Sequence, residues 1–444
     1  MGGAEIRGVG GTLAQRRGAA IGQARGARRG RSGCRNIVPE WTAEGPTAVL
    51  SPTQQIASVN RIHGQSCRAA SGRNFGHHRQ LRHRRPVPGP CGAAGRTGRS
   101  GRSGRSGRPP DGGAVTESSR NTLDLVVSII NYRTARLTLD CVASVLADIA
   151  RTPGLAAHVV VVDNASGDGS DAVIADWIAG QGPDLPVTLV RSPTNSGFSG
   201  GHNQGIAARA ARFYLVLNSD AVLRPGFFAA ILAAADAAPA AGLFAPRLED
   251  EDGTGQISCF RFPCPMSELI RGACTGPVTR LLARYDVPLD MPPAADRIGW
   301  ASFACILLRA EMVAAIGPMD EGYFLYFEDA EYCLRARRAG WSIRYVPEAR
   351  AVHFRGGSAP VKSLAKARRR LPPYFYASRS RFLRQAHGPA GPVAANLAWH
   401  FGRALAQLRV LAGKPRPRAV EAEARDIWIN VRHPLGDRRA PEGS

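Results

Sequence analysis

The chain has 444 residues with 58 basic and 35 acidic side chains, a net charge of +23, enough length for one large domain with appendages or two ordinary ones. The charge is uneven: residues 1–120 hold 21 arginines against 5 acids (+16), residues 355–444 hold 18 basic against 5 acidic residues (+13), and residues 121–354 hold 19 against 25 (−6). This excludes the middle of the chain as a nucleic-acid surface; the absence of any run of about 18 uncharged apolar residues excludes a spanning helix, and nine cysteines without a CxxC pair exclude zinc spacing and a redox dithiol.

Residues 1–120 are rich in Gly, Arg, Ser and Pro. Gly95–Arg108, GRTGRSGRSGRSGR, repeats every three residues without positions that could build a core, so disorder is expected. An arginine–glycine tail that binds nucleic acid would interleave aromatics for base stacking, and only Trp41 and Phe75 occur. Nucleic acid is therefore an alternative rather than the expected partner, and a start near Val115 would leave this segment out of the protein. The opening residues MGGAEIRGVGG lack the apolar core of a signal peptide. Cys141, Cys305 and Cys333 lie in apolar runs, where a reduced thiol acts as a small hydrophobe. A cytoplasmic location is expected on both counts.

From Leu123 the texture changes. LDLVVSIINY (Leu123–Tyr132) is a near-continuous apolar run, as in a strand buried on both faces. A helix follows, with Leu137, Cys141, Val145 and Ile149 four apart. A second buried strand, Val159–Val162, ends at Asp163, and VTLVRS (Val187–Ser192) and FYLVLNSDA (Phe213–Ala221) supply two more. Strands alternating with helices across short loops predict a parallel α/β sheet. Ligands then bind beyond the carboxyl ends of the strands, where Asp163 and Asp220 fall. The expected organisation is an extension over 1–120, a catalytic domain over 121–355 and a basic helical region over 356–444. In that last region Leu397, Phe401, Leu405 and Leu408 share one helical face, either packed on the catalytic domain or lying on anionic lipid.

The first strand is followed by NYRTARLTLD, with no glycine, so the GxGxxG signature of dinucleotide binding is absent. The glycines come later, in NSGFSGGHNQG (Asn195–Gly205). Taken in order, VSIINY, VVVVDNASGDGS, NSGFSGGHNQGI, LNSDAVL, IGPMDEGYFLYFEDAEYCLRARRAGW and the later His353 resemble family 2 glycosyltransferases, over about residues 123–355. The resemblance implies the GT-A fold, with a mainly parallel central sheet flanked by helices. It implies a nucleotide-sugar donor contacted by Asn131, Asp163, Asn164, Asn195, Gly197, Asn203 and Asn218, Asp163 facing the base. It makes Asp220 the metal-binding acid of a DxD-type motif, departing from that motif at Asn218, with His353 completing a site for Mg²⁺ or Mn²⁺.

Glu328-Asp329 matches the family's acidic motif. Asp329 is thereby the general base toward the acceptor hydroxyl, with Glu328 supporting acceptor binding. The residue types alone leave plainer readings open: Asp163 and Asn164 as turn caps, His353 as structural, Asp329 as a helix N-cap. Glu331 and Arg335, four apart, are expected to pair along the helix. The aromatics Tyr323, Phe324, Tyr326 and Phe327 are divided between sugar stacking and core, and Trp300 falls in an acceptor-side segment.

The implied reaction is a single inverting displacement. Rhamnosyltransferase-type members are the most similar, YFYASRSRFLRQAHG adding to that likeness, with dTDP-rhamnose as donor and a glycan or polyprenyl-diphosphate-linked acceptor in cell-envelope or polysaccharide assembly. Peripheral contact with anionic lipid on the inner face of the plasma membrane would use the basic tail. A nucleotidyltransferase making the activated sugar is the enzymatic alternative, but it would carry a glycine-rich phosphate loop after strand one.

Overall fold

The structure, a computed structural model, describes residues 123–354, 361–411, 413–415 and 417–441. The expected disorder of 1–120 and the start near Val115 lie outside the described residues. Within them the chain opens β1 (Leu123–Asn131), α1 (Ala135–Ala150), β2 (Ala157–Asp163), α2 (Ser170–Gly180), β3 (Val187–Arg191), α3 (Gly197–Ala207) and β4 (Ala211–Asn218). This is the expected alternation. β5 (Ala221–Leu223), α4 (Phe227–Asp236) and β6 (Ala241–Glu249) follow, then the short β7 (Cys259–Phe260) and α5 (Pro265–Ala273). After α6 (Gly276–Leu281) come β8 (Trp300–Ala301), β9 (Cys305–Arg309), α7 (Ala310–Ile316), α8 (Glu328–Arg338) and the long β10 (Ser342–His353).

One eight-stranded sheet has the order β3-β2-β1-β4-β9-β6-β10-β5. β3, β2, β1 and β4 are mutually parallel, and β10 is parallel to β6. β9 enters antiparallel between β4 and β6, and β5 closes the edge antiparallel to β10. The mainly parallel α/β sheet flanked by helices is thus present. The apolar runs are strands because both faces are covered: Leu125, Val127, Ile129, Val159, Val161, Leu215 and Leu217 pack in one core with Cys141, Val142 and Val145 of α1. Val216, Ile306 and Leu308 form the other face with Tyr332, Cys333 and Ala336 of α8. Burying such side chains stabilises a fold by about 1.5–3 kcal/mol each relative to exposure.

The chain continues through α9 (Val361–Lys366), α10 (Pro373–His387), α11 (Gly391–Leu411) and α12 (Glu423–Asp426). α11 crosses α5 closely: a Cβ on Gly402 would collide with the Leu269 carbonyl, and one on Gly272 with the Trp399 carbonyl. Buried Glu268 of α5 accepts from Arg379 of α10 (2.8 Å), which also donates to Asn396 of α11 (2.8 Å). Removing one partner of such a buried, hydrogen-bonded charge strands the other, at about 3–5 kcal/mol.

Candidate active site

The carboxyl ends of the parallel strands bring the first group together. Asn131 and Asp163 are register partners at the ends of β1 and β2, and Asn218 ends β4 one residue back along β1. Asn131 Nδ2 donates to Asp163 Oδ1 (2.7 Å), and the Ser166 hydroxyl donates to the same oxygen (2.5 Å). Asp163 Oδ2 accepts the Ser166 N–H (3.2 Å). Asn131 Oδ1 accepts from Thr138 Oγ1 (2.9 Å), so the amide is fixed from both sides. Asp163 therefore does cap its turn, as the plainer reading has it, and only Oδ2 keeps capacity for a base N–H. Ser166, which the motif reading passed over, is the hub of this network.

Asn164 is committed to the chain itself. Its Oδ1 accepts the Ser196 N–H and hydroxyl (both 2.9 Å), and its Nδ2 donates to Asn195 Oδ1 (3.1 Å) and the Gly197 carbonyl (3.0 Å). Asn195 Oδ1 also accepts the Gly197 N–H (3.1 Å). These bonds fold the glycine-rich loop that opens α3. Gly197 has φ +71°, and a Cβ there would strike the Phe324 carbonyl, which itself accepts the Phe198 N–H (2.9 Å). Only glycine allows this approach.

Asn203 does not join the strand-end group. Its amide donates to the Met319 carbonyl and to Glu321 Oε1 (both 3.0 Å) and accepts the Met319 N–H (2.9 Å). Asn164 thus shapes the glycine-rich loop, and Asn203 ties α3 to the Met319–Glu321 segment. A further residue reaches this loop from the far end of the chain: Arg438 Nη1 donates to the Ser196 carbonyl at 2.9 Å. No local pattern around Arg438 signals that contact.

Asp220 follows β4, and His353 ends β10, held beside it by antiparallel pairing with Ala221. Both side chains are buried, and His353 Nε2 stands 3.5 Å from Asp220 Oδ1, which has no hydrogen-bond partner. Asp220's carbonyl accepts the Phe354 N–H (2.9 Å) and His353's accepts Gln256 Nε2 (2.9 Å), fixing both backbones. An orphaned buried carboxylate oxygen facing an imidazole nitrogen fits a cation ligand pair. Among the described residues no three His, Cys, Asp or Glu side chains form a metal cluster. A cation here would therefore draw its remaining ligands from donor phosphate and water.

The stretch Phe324–Trp341 turns sharply before α8. Tyr326 and Phe327 have φ +72° and +69°, a conformation bulky residues avoid. Packing on α10 holds it: Tyr326 stacks on Tyr374 (6.5 Å) and Phe327 packs on Phe375 and Phe382 (5.5 and 5.9 Å). Tyr323 and Phe324 are buried while Tyr326 and Phe327 are half-buried, so the aromatic run divides between core and rim. Trp300 stacks on Phe260 (4.2 Å) and donates to the Arg261 carbonyl (3.0 Å). The N-cap of α8 is Phe327, not Asp329, which is the helix's second residue and accepts the Ala330 N–H at 2.8 Å. Glu331 and Arg335 pair as expected, at 2.6 Å.

Glu328 is buried with Oε2 unpartnered. Burial, and then the charge of Asp329, push its carboxyl well above the ordinary glutamate range. The phenols facing it, Tyr323 and Tyr326, are themselves driven up by burial and stay neutral. Above the unfolded value of about 4.3, the folded chain keeps a proton the unfolded chain has lost, so stability falls as pH rises toward the folded value. Glu328→Gln removes that loss. Its Tm should exceed the parent's by about 2–4 °C near pH 8 and match it near pH 3, below the unfolded value. Melting curves at the two pH values check this, and an offset independent of pH would remove Glu328 as the titrating group.

An α/β sheet whose parallel strands gather acidic and amide side chains at their carboxyl ends presents a polar ligand site at that edge, the arrangement expected of the GT-A fold. The chain belongs to the glycosyltransferase like family 2, whose model matches residues 124–387. An N-acetylglucosaminyl-diphospho-decaprenol L-rhamnosyltransferase of Mycobacterium tuberculosis is 29% identical over 226 residues, 47% of this chain and 70% of that one. The low-salt glycan biosynthesis hexosyltransferase Agl10 of Haloferax volcanii is 24% identical over 234 residues, 52% of this chain and 67% of the other. Among solved structures, the mannosyltransferase PcManGT of Pyrobaculum calidifontis, in complex with GDP-Man and Mn²⁺, is 16% identical with a TM-score of 0.40, over 67% of this chain and 77% of that one.

Proposed function

We propose that the chain is an inverting rhamnosyltransferase moving L-rhamnose from dTDP-rhamnose to a polyprenyl-diphosphate-linked glycan in cell-envelope or polysaccharide assembly. The observation that carries the donor side is the Asp220–His353 pair, buried and mutually facing at 3.5 Å, at the strand edge that holds Asn131 and Asp163. The name of the mycobacterial relative supports the sugar and the lipid-linked acceptor. When bound there, Mg²⁺ or Mn²⁺ would neutralise the negative charge of the departing diphosphate.

The remaining chemistry belongs to side chains. Asp163 Oδ2 accepts from the base, and the loop Asn195–Gly197, pinned by Asn164, backs the donor. Asp329 takes the proton from the acceptor hydroxyl as its oxygen attacks the anomeric carbon in line, the C–O bond to the diphosphate breaking on the opposite face. Glu328, held toward its protonated form by burial, leaves the base role to Asp329. No carboxylate is needed as a covalent nucleophile.

Calorimetry on the full chain with dTDP-rhamnose, UDP-galactofuranose, UDP-glucose and GDP-mannose, with and without Mn²⁺, tests the donor. Metal-dependent binding of dTDP-rhamnose in preference to the others is expected. Preference for another sugar nucleotide would replace rhamnose, and binding of none would remove the donor site.

A further inference from the structure

α11 packs with the wrong side inward for an ordinary amphipathic helix. It buries small and polar residues, Ala395, Asn396, Gly402, Arg403 and Ala406, with Trp399. Val393, Leu397, Phe401, Leu408, Val410 and Leu411 stay exposed, Leu397, Phe401 and Leu408 each at 57–58%. The close crossing with α5 explains the choice, since Gly272 and Gly402 admit backbone contact that a large side chain would block. The outward stripe runs most of a helix about 31 Å long, and Gln407 is the one exposed polar residue on it. A contiguous apolar face of this length on a soluble surface marks an interaction site.

Charge beside the stripe says what covers it. A groove on the flank of α11, reaching its inward Trp399 and Arg403, is lined by Arg368, His400 and Arg418 against Glu421 and Glu423. Glu423 is engaged by Arg271, and Glu421 Oε2 by the Arg370 N–H (3.3 Å). Lys414 is exposed just beyond the helix, and residues 355–444 together carry +13. Among the described residues no helix is long and apolar enough to cross a membrane. We propose that α11 lies in the plane of an anionic bilayer, with Leu397, Phe401 and Leu408 among the acyl chains and Arg368, Lys414 and Arg418 at the headgroups. The placement suits a lipid-linked acceptor but is argued from α11 itself and stands without that reading. α10 joins this surface to the site: Ser378 donates to the Leu325 carbonyl (3.2 Å) and Arg381 to Asp320 (2.9 Å), while Arg379 reaches Asn396 of α11.

The test is flotation of the full chain with phosphatidylglycerol-containing vesicles and with phosphatidylcholine vesicles, each followed by a high-salt wash. Salt strips contacts made by charge alone, including any from the arginine-rich first 120 residues, and leaves apolar insertion. The full chain should float with anionic vesicles and keep a salt-resistant fraction. Leu397→Glu/Phe401→Glu/Leu408→Glu should cut that fraction by roughly tenfold or more, and Phe401→Glu alone by less. Because these side chains are exposed, melting and transfer to a short water-soluble acceptor should not change. Vesicle binding equal in parent and triple variant, or none by the parent, overturns the proposal. So does a parent dimer that the triple variant turns into a monomer, since the stripe would then face a second copy. Failure of transfer with vesicle binding intact would count against the proposed reaction and not against this surface.

Discussion

Asp329→Asn should lower kcat by roughly 10³-fold while donor affinity stays within about twofold of the parent, as befits loss of a proton acceptor with retention of shape. Asn has the volume of Asp, and its Oδ1 can still accept the Ala330 N–H that Asp329 Oδ1 accepts at 2.8 Å, so the start of α8 survives. The residue sits in the first turn of α8, where the peptide dipoles favour an ionised carboxylate. Glu328 beside it is held toward its protonated form by burial, which leaves Asp329 as the proposed base of the pair. Donor affinity should hold because the strand-end network of Asn131, Asp163 and Ser166 takes no bond from α8, and the glycine-rich loop meets this stretch through the Phe324 backbone. Single-turnover rates paired with donor calorimetry check both halves. Turnover within tenfold of the parent would remove Asp329 as the base; lost donor binding would move the acidic pair to the donor side.

Much of this arrangement is legible in the chain, for reasons that also mark where reading stops. β1, β2 and β4 announce themselves because strands covered on both faces need unbroken apolar runs, and their last residues fall at the ligand edge by topology alone. β9 does not, because Cys305–Arg309 is five residues long and its antiparallel place between β4 and β6 is decided by partners far away in sequence. Motif position singles out Asn164 and Asn203 but cannot reveal that the chain itself uses their hydrogen-bonding capacity. Arg438 reaches Ser196 across 242 residues, a contact no spacing encodes. α11 misleads a periodicity argument in the plainest way. Its large apolar side chains define a face, yet the helix packs through glycine and alanine, because close backbone approach to α5 outweighs the burial of leucine.

Asp220→Ala should cost roughly 100-fold in metal-dependent donor affinity, ~3 kcal/mol, and abolish the difference between titrations with and without Mn²⁺. The size follows from how few protein ligands the site has. Asp220 would supply the one carboxylate where a strict motif would place a second acid at Asn218, His353 faces it at 3.5 Å, and among the described residues no group of three His, Cys, Asp or Glu side chains is placed to hold a metal. His353→Ala should weaken donor binding less, by about tenfold, because a neutral imidazole contributes a ligand but no charge. The order of the two variants is the informative part. If Asp220 and His353 were only a buried hydrogen-bonding pair, either substitution would lower Tm and leave the Mn²⁺ dependence of donor binding as in the parent. If they hold the cation with the donor, Mn²⁺ dependence is lost in the first and reduced in the second, and binding of the free nucleoside, which lacks the diphosphate, is unaffected in both. In the proposed arrangement the nucleoside would meet the Asp163 edge instead, so its retained affinity would separate a lost cation from a collapsed site.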